Sequence, residues 1–237
     1  MALAFDQGSG EKKDYGRIDK GTYGARVARI IDMGRQHDTM WNPTTKEQQK
    51  LYYEVDEDGK NVTNDDGFSK KSPIVSDSPV IVPKVMVTYE TPDETFEYKG
   101  EQSPRWIDKV YNITKTGAIA KLAQALVPDA TGVSDLAGVA CMISVGSTAS
   151  GKQKVVSANP VMKGMEVPDL ANDCVLFDLE APDLAVFNTL PKFIQDDIKS
   201  EMGFNGSPLQ RLLGVPAAES KPAAGSKDDA FDDDIPF

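Results

Sequence analysis

The chain has 237 residues, 37 acidic and 26 basic side chains, a formal charge of -11 and 40% hydrophobic residues. That length and apolar content support one large domain with a buried core and exclude a chain disordered throughout, while the acidic balance argues against a simple polyanion binder. No run reaches the ~18 apolar residues needed to span a bilayer and the first residues, MALAFDQGSGEKKDYG, lack the apolar centre of a signal peptide, so a soluble, cytoplasmic protein is expected.

The first predicted element is a strand over 22–34, TYGARVARIIDMG, rich in β-branched residues and flanked by Gly21 and Gly34. Val27, Ile30 and Ile31 change parity, which predicts a bulge or strong bend. Residues 36–80 turn polar and read as a long, partly ordered insertion with one strand-like run, Leu51 to Val55. Two strand-like runs follow, VIVPKVMVTYE and TFEYKG, separated by Thr91-Pro92-Asp93-Glu94, which reads as a hairpin turn. A helix is predicted over Thr116 to Val127, where Ile119, Leu122, Ala123 and Leu126 recur at helical spacing and Pro128 ends the run.

Next come strands GVACMISVG and KQKVVSANPV, joined by the loop Ser147 to Gly151, then a strand at 174–179 and helical stretches near 190–202 and LQRLLG. Five strands with one helix between the third and fourth predict a mainly β fold of OB type, a five-stranded Greek-key barrel. It carries the 36–80 insertion after strand 1 and a C-terminal helical extension at 166–213. Residues 214–227, GVPAAESKPAAGSK, have too little bulk to gain by burial and read as a flexible linker.

Charge is unevenly placed along this order. Residues 228–237 carry five acidic groups and no basic one; without them 26 basic face 32 acidic side chains. Three stretches, 9–37, 102–127 and 144–164, each carry a net charge of +3. Each is compatible with an ordinary solvated face or with a polyanion contact.

Catalytic and metal motifs fail on their chemistry. Gly146 to Lys152 has the spacing of a phosphate-binding loop, but Gln153 stands where a magnesium-holding Ser or Thr belongs, and a strand-like run follows instead of a helix. Asp56 to Lys60 has the acidity of a calcium loop, with its glycine misplaced. One histidine, His37, and two distant cysteines, Cys141 and Cys174, offer no zinc set and no nucleophile system; both thiols read as reduced core residues. No cofactor, metal or enzymatic activity is expected.

Aromatic residues lie beside cations: Tyr15 near Arg17, Tyr23 near Arg26 and Arg29, and Arg105 next to Trp106. Trp41, Tyr52, Tyr53 and Phe68 sit in the polar insertion, and Lys152 and Lys154 in the 146–154 loop. Rings that stack bases and cations that follow phosphates make up a single-strand binding surface, so Tyr15, Arg17, Tyr23, Arg26, Arg29, Trp41, Tyr52, Tyr53, Arg105, Trp106, Lys152 and Lys154 are the candidate DNA contacts. The same rings also suit packing beneath the insertion.

The sequence ends Phe231-Asp232-Asp233-Asp234-Ile235-Pro236-Phe237, an acidic stretch with an apolar end. It resembles the C-terminal tip of bacterial single-stranded-DNA-binding proteins, and the whole chain resembles a bacteriophage single-stranded-DNA-binding protein with that tip on its own larger domain. The resemblance implies that Asp232, Asp233, Asp234, Ile235, Pro236 and Phe237 dock replication, recombination and repair proteins and compete with DNA for the basic groove. It carries no barrel residue over individually. An adaptor without DNA affinity and a binder of both single- and double-stranded DNA remain open alternatives; a nuclease would need a metal cluster that the sequence lacks.

Overall fold

The computed structural model describes residues 18–98, 100–148 and 151–216. The fold is mainly β, built on β1 (Gly21–His37), which is long enough to serve three neighbours. Between it and β6 (Ile81–Tyr98) lie two small two-stranded pairings: β2 (Thr39–Asn42) with β3 (Glu47–Lys50), and β4 (Tyr52–Tyr53) with β5 (Lys71–Ser72). After β6 come β7 (Glu101–Asn112), α1 (Ala118–Leu126), a 3-10 turn at Val133–Leu136, β8 (Ala140–Ser147) and β9 (Gln153–Asn159). The order across the sheet is β7-β6-β1-β8-β9, antiparallel throughout. A short β10 (Val175–Phe177) adds parallel to β1 at Arg29 to Ile31.

The predicted irregularity of the first strand is present, as register shifts between Val27 and Arg29 and again between Asp32 and Gly34. The first places Val27 and Ile30 in one core and Ile31 and Met33 in another, so a single strand supplies both. One core gathers Ala25, Val85, Val87, Tyr89, Ile107, Tyr111, Ile143 and Val155 beneath α1, whose Ile119, Leu122 and Ala123 face it as the periodicity predicts. The Tyr89 and Tyr111 hydroxyls hydrogen-bond each other at 2.7 Å inside it, which satisfies both polar tips.

The second core lies on the opposite face of β1 and β6. There α2 (Leu184–Thr189), α3 (Lys192–Lys199) and α4 (Pro208–Leu212) bring Phe187, Ile194, Ile198 and Leu209 against Ile31, Met33 and Met86. Ile194 and Ile198 are spaced i, i+4 and share one face of α3, and each fully buried side chain of this size contributes about 1.5–3 kcal/mol. The helices start on side-chain caps where the sequence supplies them: Asp183 accepts from Ala185 N and Ser207 from Gln210 N.

Two expectations fail locally. Thr91 to Glu94 is not a hairpin turn: β6 continues to Tyr98, and Pro92, Asp93 and Glu94 form an irregularity between the pairs Thr91–Arg105 and Thr95–Pro104. A proline without an N–H is tolerated where the ladder is already interrupted. The chain reverses near Gly100, whose φ of +86° suits glycine, and TFEYKG is thus mostly the end of β6. The third strand is β7, from Glu101. The reading of both cysteines as core thiols holds only for Cys141; Cys174 is exposed, its Sγ 3.6 Å from the Val27 carbonyl oxygen.

Candidate nucleic-acid interface

Antiparallel pairing sends the start of β1, the end of β6, the start of β7 and the β8–β9 loop to one end of the sheet. The 38–80 arm and the β7–α1 connection lie at the other. Tyr23, Arg105, Lys152 and Lys154 therefore share the first end, while Trp41, Tyr52 and Tyr53 belong to the arm.

At the first end, Tyr23 Oη donates to the Asp19 carbonyl at 3.0 Å, and the Arg105 guanidinium carbon lies 5.3 Å from the Phe96 ring centroid. Burial, followed by the charges of Glu94 and Asp19, raises the Tyr23 pKa against the opposing pull of Arg105. Gly146 lies within β8, and β9 follows the loop, so the phosphate-loop spacing sits on a strand hairpin. Within that hairpin Thr148 N donates to the Lys152 carbonyl at 2.7 Å, and Lys152 N donates to Thr148 Oγ1 at 3.0 Å. Lys152 and Lys154 are exposed, and Gln153 Nε2 donates to the Ile18 carbonyl.

Three other candidates converge on the middle of the outer face. Arg26 spends its guanidinium on main-chain oxygens: Nε donates to Pro168 O at 2.6 Å, Nη1 to Gly138 O at 3.0 Å and Nη2 to Val167 O at 3.0 Å. Nη2 also lies 3.0 Å from Asp169 Oδ1. Gly24 leaves room for Val167, whose Cγ2 would stand only 3.1 Å from an added Cβ. Next to it Glu90, 0% exposed, accepts from Trp106 Nε1 at 3.1 Å, Ala171 N at 2.7 Å and Asn172 Nδ2 at 2.8 Å. The Arg29 guanidinium carbon lies 4.2 Å from the Trp106 ring centroid. Residues 167–172 are thereby strapped across β1 and β6 by Arg26 and Glu90, and Trp106 and Arg29 pack in series behind Glu90.

The arm is anchored through Asp38. Its carboxylate accepts from Lys71 Nζ at 3.1 Å and Asn112 Nδ2 at 3.1 Å. Desolvation alone would raise its pKa, but these bonds and the Lys71 charge outweigh that and hold it below the usual carboxylate range. Trp41 is 42% exposed, and Tyr52 and Tyr53 are half-buried, with Tyr52 6.4 Å from the His37 ring. Farther out, residues 54–66 carry six acidic side chains and one basic one. Tyr15 and Arg17, and Asp232 to Phe237 with the 228–237 tip, lie outside the described residues.

Sequence reasoning passed over Lys109 and Phe96. Lys109 Nζ donates to the Val156 carbonyl at 3.3 Å, 4.8 Å from the Tyr111 ring centroid, and burial followed by the Lys154 charge pushes its pKa down. The +3 charge of residues 102–127 was the signal present in the sequence. A separate cleft lies between α1, the 3-10 turn and β10, floored by Ile30, Val85 and Phe177, with Lys115 the one cation in its lining. Among the described residues no group of three His, Cys, Asp or Glu side chains is placed to hold a metal, and no helix is long and apolar enough to cross a membrane. No family model, curated protein or solved structure matches the chain.

Proposed function

We propose that the chain is a sequence-tolerant single-stranded-DNA-binding protein built on an OB barrel, acting in phage DNA replication, recombination or repair. The observation that carries this reading is the strand order β7-β6-β1-β8-β9 with α1 between β7 and β8. Numbered by barrel position, that is 3-2-1-4-5 with the helix between strands 3 and 4, an arrangement used to bind oligonucleotides through loops and a strand face. The barrel loop between strands 4 and 5 is then 148–152, with Lys152 at its exit and Lys154 just inside β9. The loop between strands 1 and 2 is the arm with Trp41.

In this reading Tyr23, Arg105, Lys152 and Lys154 contact DNA at one end and Trp41, Tyr52 and Tyr53 at the other. Arg26 serves the scaffold, because its guanidinium holds 167–169, and Trp106 and Arg29 are engaged with Glu90 and with each other. The acidic 54–66 end of the arm points away from DNA, since like charge excludes it. The role is binding rather than catalysis. The tip from Asp232 to Phe237 recruits replication proteins and competes with DNA for the basic surface, the role its sequence resemblance implies.

The test is a fluorescence titration with single- and double-stranded oligonucleotides at one low salt concentration. Single strands should bind more tightly, with a log–log salt slope of about -0.7 for every phosphate contact. Equal affinity for both forms would move the reading to a general DNA binder. Absence of binding to either would leave only an adaptor acting through the tip.

A further inference from the structure

We propose that one face of the β2–β3 hairpin, formed by Trp41, Gln48 and Lys50, seats a single unstacked nucleotide and thereby selects single strands over duplex; this deepens the single-stranded-DNA reading and rests on it. The pairing register decides which side chains share a face. Thr39 pairs with Lys50, Met40 with Gln49, Trp41 with Gln48 and Asn42 with Glu47. Antiparallel partners project to the same side and residues alternate along a strand, so Thr39, Trp41, Gln48 and Lys50 form one face and Met40, Asn42, Glu47 and Gln49 the other. A one-residue slip would undo this division, and the turn holds against it: Asn42 Oδ1 accepts from Thr44 N at 2.9 Å and Thr45 N at 3.3 Å, and Lys46 N donates to the Asn42 carbonyl at 2.9 Å.

The two faces differ in chemistry. All four residues of the first are exposed, whereas Asn42 and Gln49 on the second are half-buried. The hairpin's one carboxylate, Glu47, belongs to the second face, which leaves the first with a cation and no acid. Among the described residues the Trp41 indole makes no hydrogen bond or ring contact, and Lys50 makes no ion pair. Each side chain suits one part of a nucleotide. An open indole face stacks on a base of any kind. Gln48 stands directly across from it, and its amide offers both donors and an acceptor to a base edge, which keeps the seat tolerant of sequence. Lys50 lies on the diagonal from Trp41, roughly 7–8 Å away by strand geometry and within reach of a long side chain, where its ammonium meets the phosphate of the stacked base. A base inside a duplex is already covered by its neighbours and leaves the ring nothing to stack on. A tryptophan also steadies a two-stranded hairpin by packing across it, but that role requires neither an acid-free face nor a lysine on it.

The experiment follows the anisotropy of labelled probes bound by the full chain across a salt series: an oligothymidylate, an abasic phosphodiester strand of the same length, and a duplex of that length. Wild type is compared with Trp41→Ala, Trp41→Tyr, Lys50→Met and, as a control on the same arm, Lys60→Met. Trp41→Ala should weaken oligothymidylate binding about 5- to 150-fold, the worth of one stacked base, and leave the abasic strand, the duplex and the salt slope as in wild type. Trp41→Tyr should keep most of the affinity. Lys50→Met should reduce the slope on both single strands by about 0.7, one phosphate contact, and Lys60→Met should not. If wild type binds and Trp41→Ala keeps its oligothymidylate affinity, or weakens all three probes alike, the seat is overturned while the DNA reading stands. An unchanged slope in Lys50→Met overturns it too, because the face then holds no phosphate. Should Trp41→Ala not fold, the Lys50→Met slope and the preference of wild type for oligothymidylate over the abasic strand decide. Failure of wild type itself to bind any probe removes the underlying reading.

Discussion

The guanidinium of Arg29 rests on the indole of Trp106, 4.2 Å from the ring centroid, while the indole N–H donates to buried Glu90. One face of the ring and its N–H are therefore engaged by the protein itself. Of the two tryptophans, Trp41, 42% exposed, is the one that the proposed function assigns to a base. Oligonucleotide-induced change in fluorescence should persist in Trp106→Phe and disappear in Trp41→Phe; the reverse pattern would return Trp106 to the binding surface.

Glu90 organises the same face. Replacing it with alanine strands three donors, on Trp106, Ala171 and Asn172, and should cost roughly 3 kcal/mol. Glu90→Gln, which keeps one good acceptor, should lose less. Urea unfolding measures both, and loss of DNA binding should not exceed what unfolding explains.

The two thiols should react very differently. Burial pushes the Cys141 thiol up to about 12, whereas Cys174 is exposed. A thiol-specific chromophoric reagent near neutral pH should titrate one group in the native protein and two in denaturant. Two groups reacting at the same rate in native buffer would contradict the buried position of Cys141.

Asp38 makes the arm acid-sensitive. Its folded-state pKa lies below the unfolded one, so its stabilising contribution is complete above the unfolded pKa and disappears as pH falls through the folded one. Asp32 has the opposite sign: burial raises its pKa, so its protonation favours the fold in the same acid range. The informative quantity is thus the difference between wild type and Asp38→Asn. That difference should be present at neutral pH and shrink toward zero as the medium is acidified below the carboxylate range.

Removal of residues 228–237 takes away five negative charges. Affinity for single strands should rise at low salt and converge with wild type at high salt, where screening weakens the tip as well as the DNA. An unchanged low-salt affinity would argue against self-competition.

Several features of this fold are readable from local sequence. The parity change from Val27 to Ile30 requires a bulge in any strand that keeps both buried, and the spacing of Ile119, Leu122, Ala123 and Leu126 permits only a helix with one apolar face. β7 escaped because its inward row reads Arg105, Ile107, Lys109, Tyr111, half of it charged. In that row Lys109 reaches the Val156 carbonyl of β9, with which β7 forms no ladder among the described residues. Thr91 to Glu94 has the composition of a turn, and only the pairing partner reveals it as an interruption within one strand.

Composition and order by themselves determine a mainly β chain with an acidic, apolar-ended terminus and three cationic stretches. They place cations beside aromatic rings but cannot say which are open to solvent. That decision is tertiary: Arg26 is bonded to Pro168, 142 residues along the chain, and Glu90 to Asn172, 82 residues along. Contacts between residues so far apart depend on how the sheet curves and where the strap crosses it, which no local pattern encodes. The same curvature brings the Lys109 ammonium of one sheet end to the Val156 carbonyl of the other.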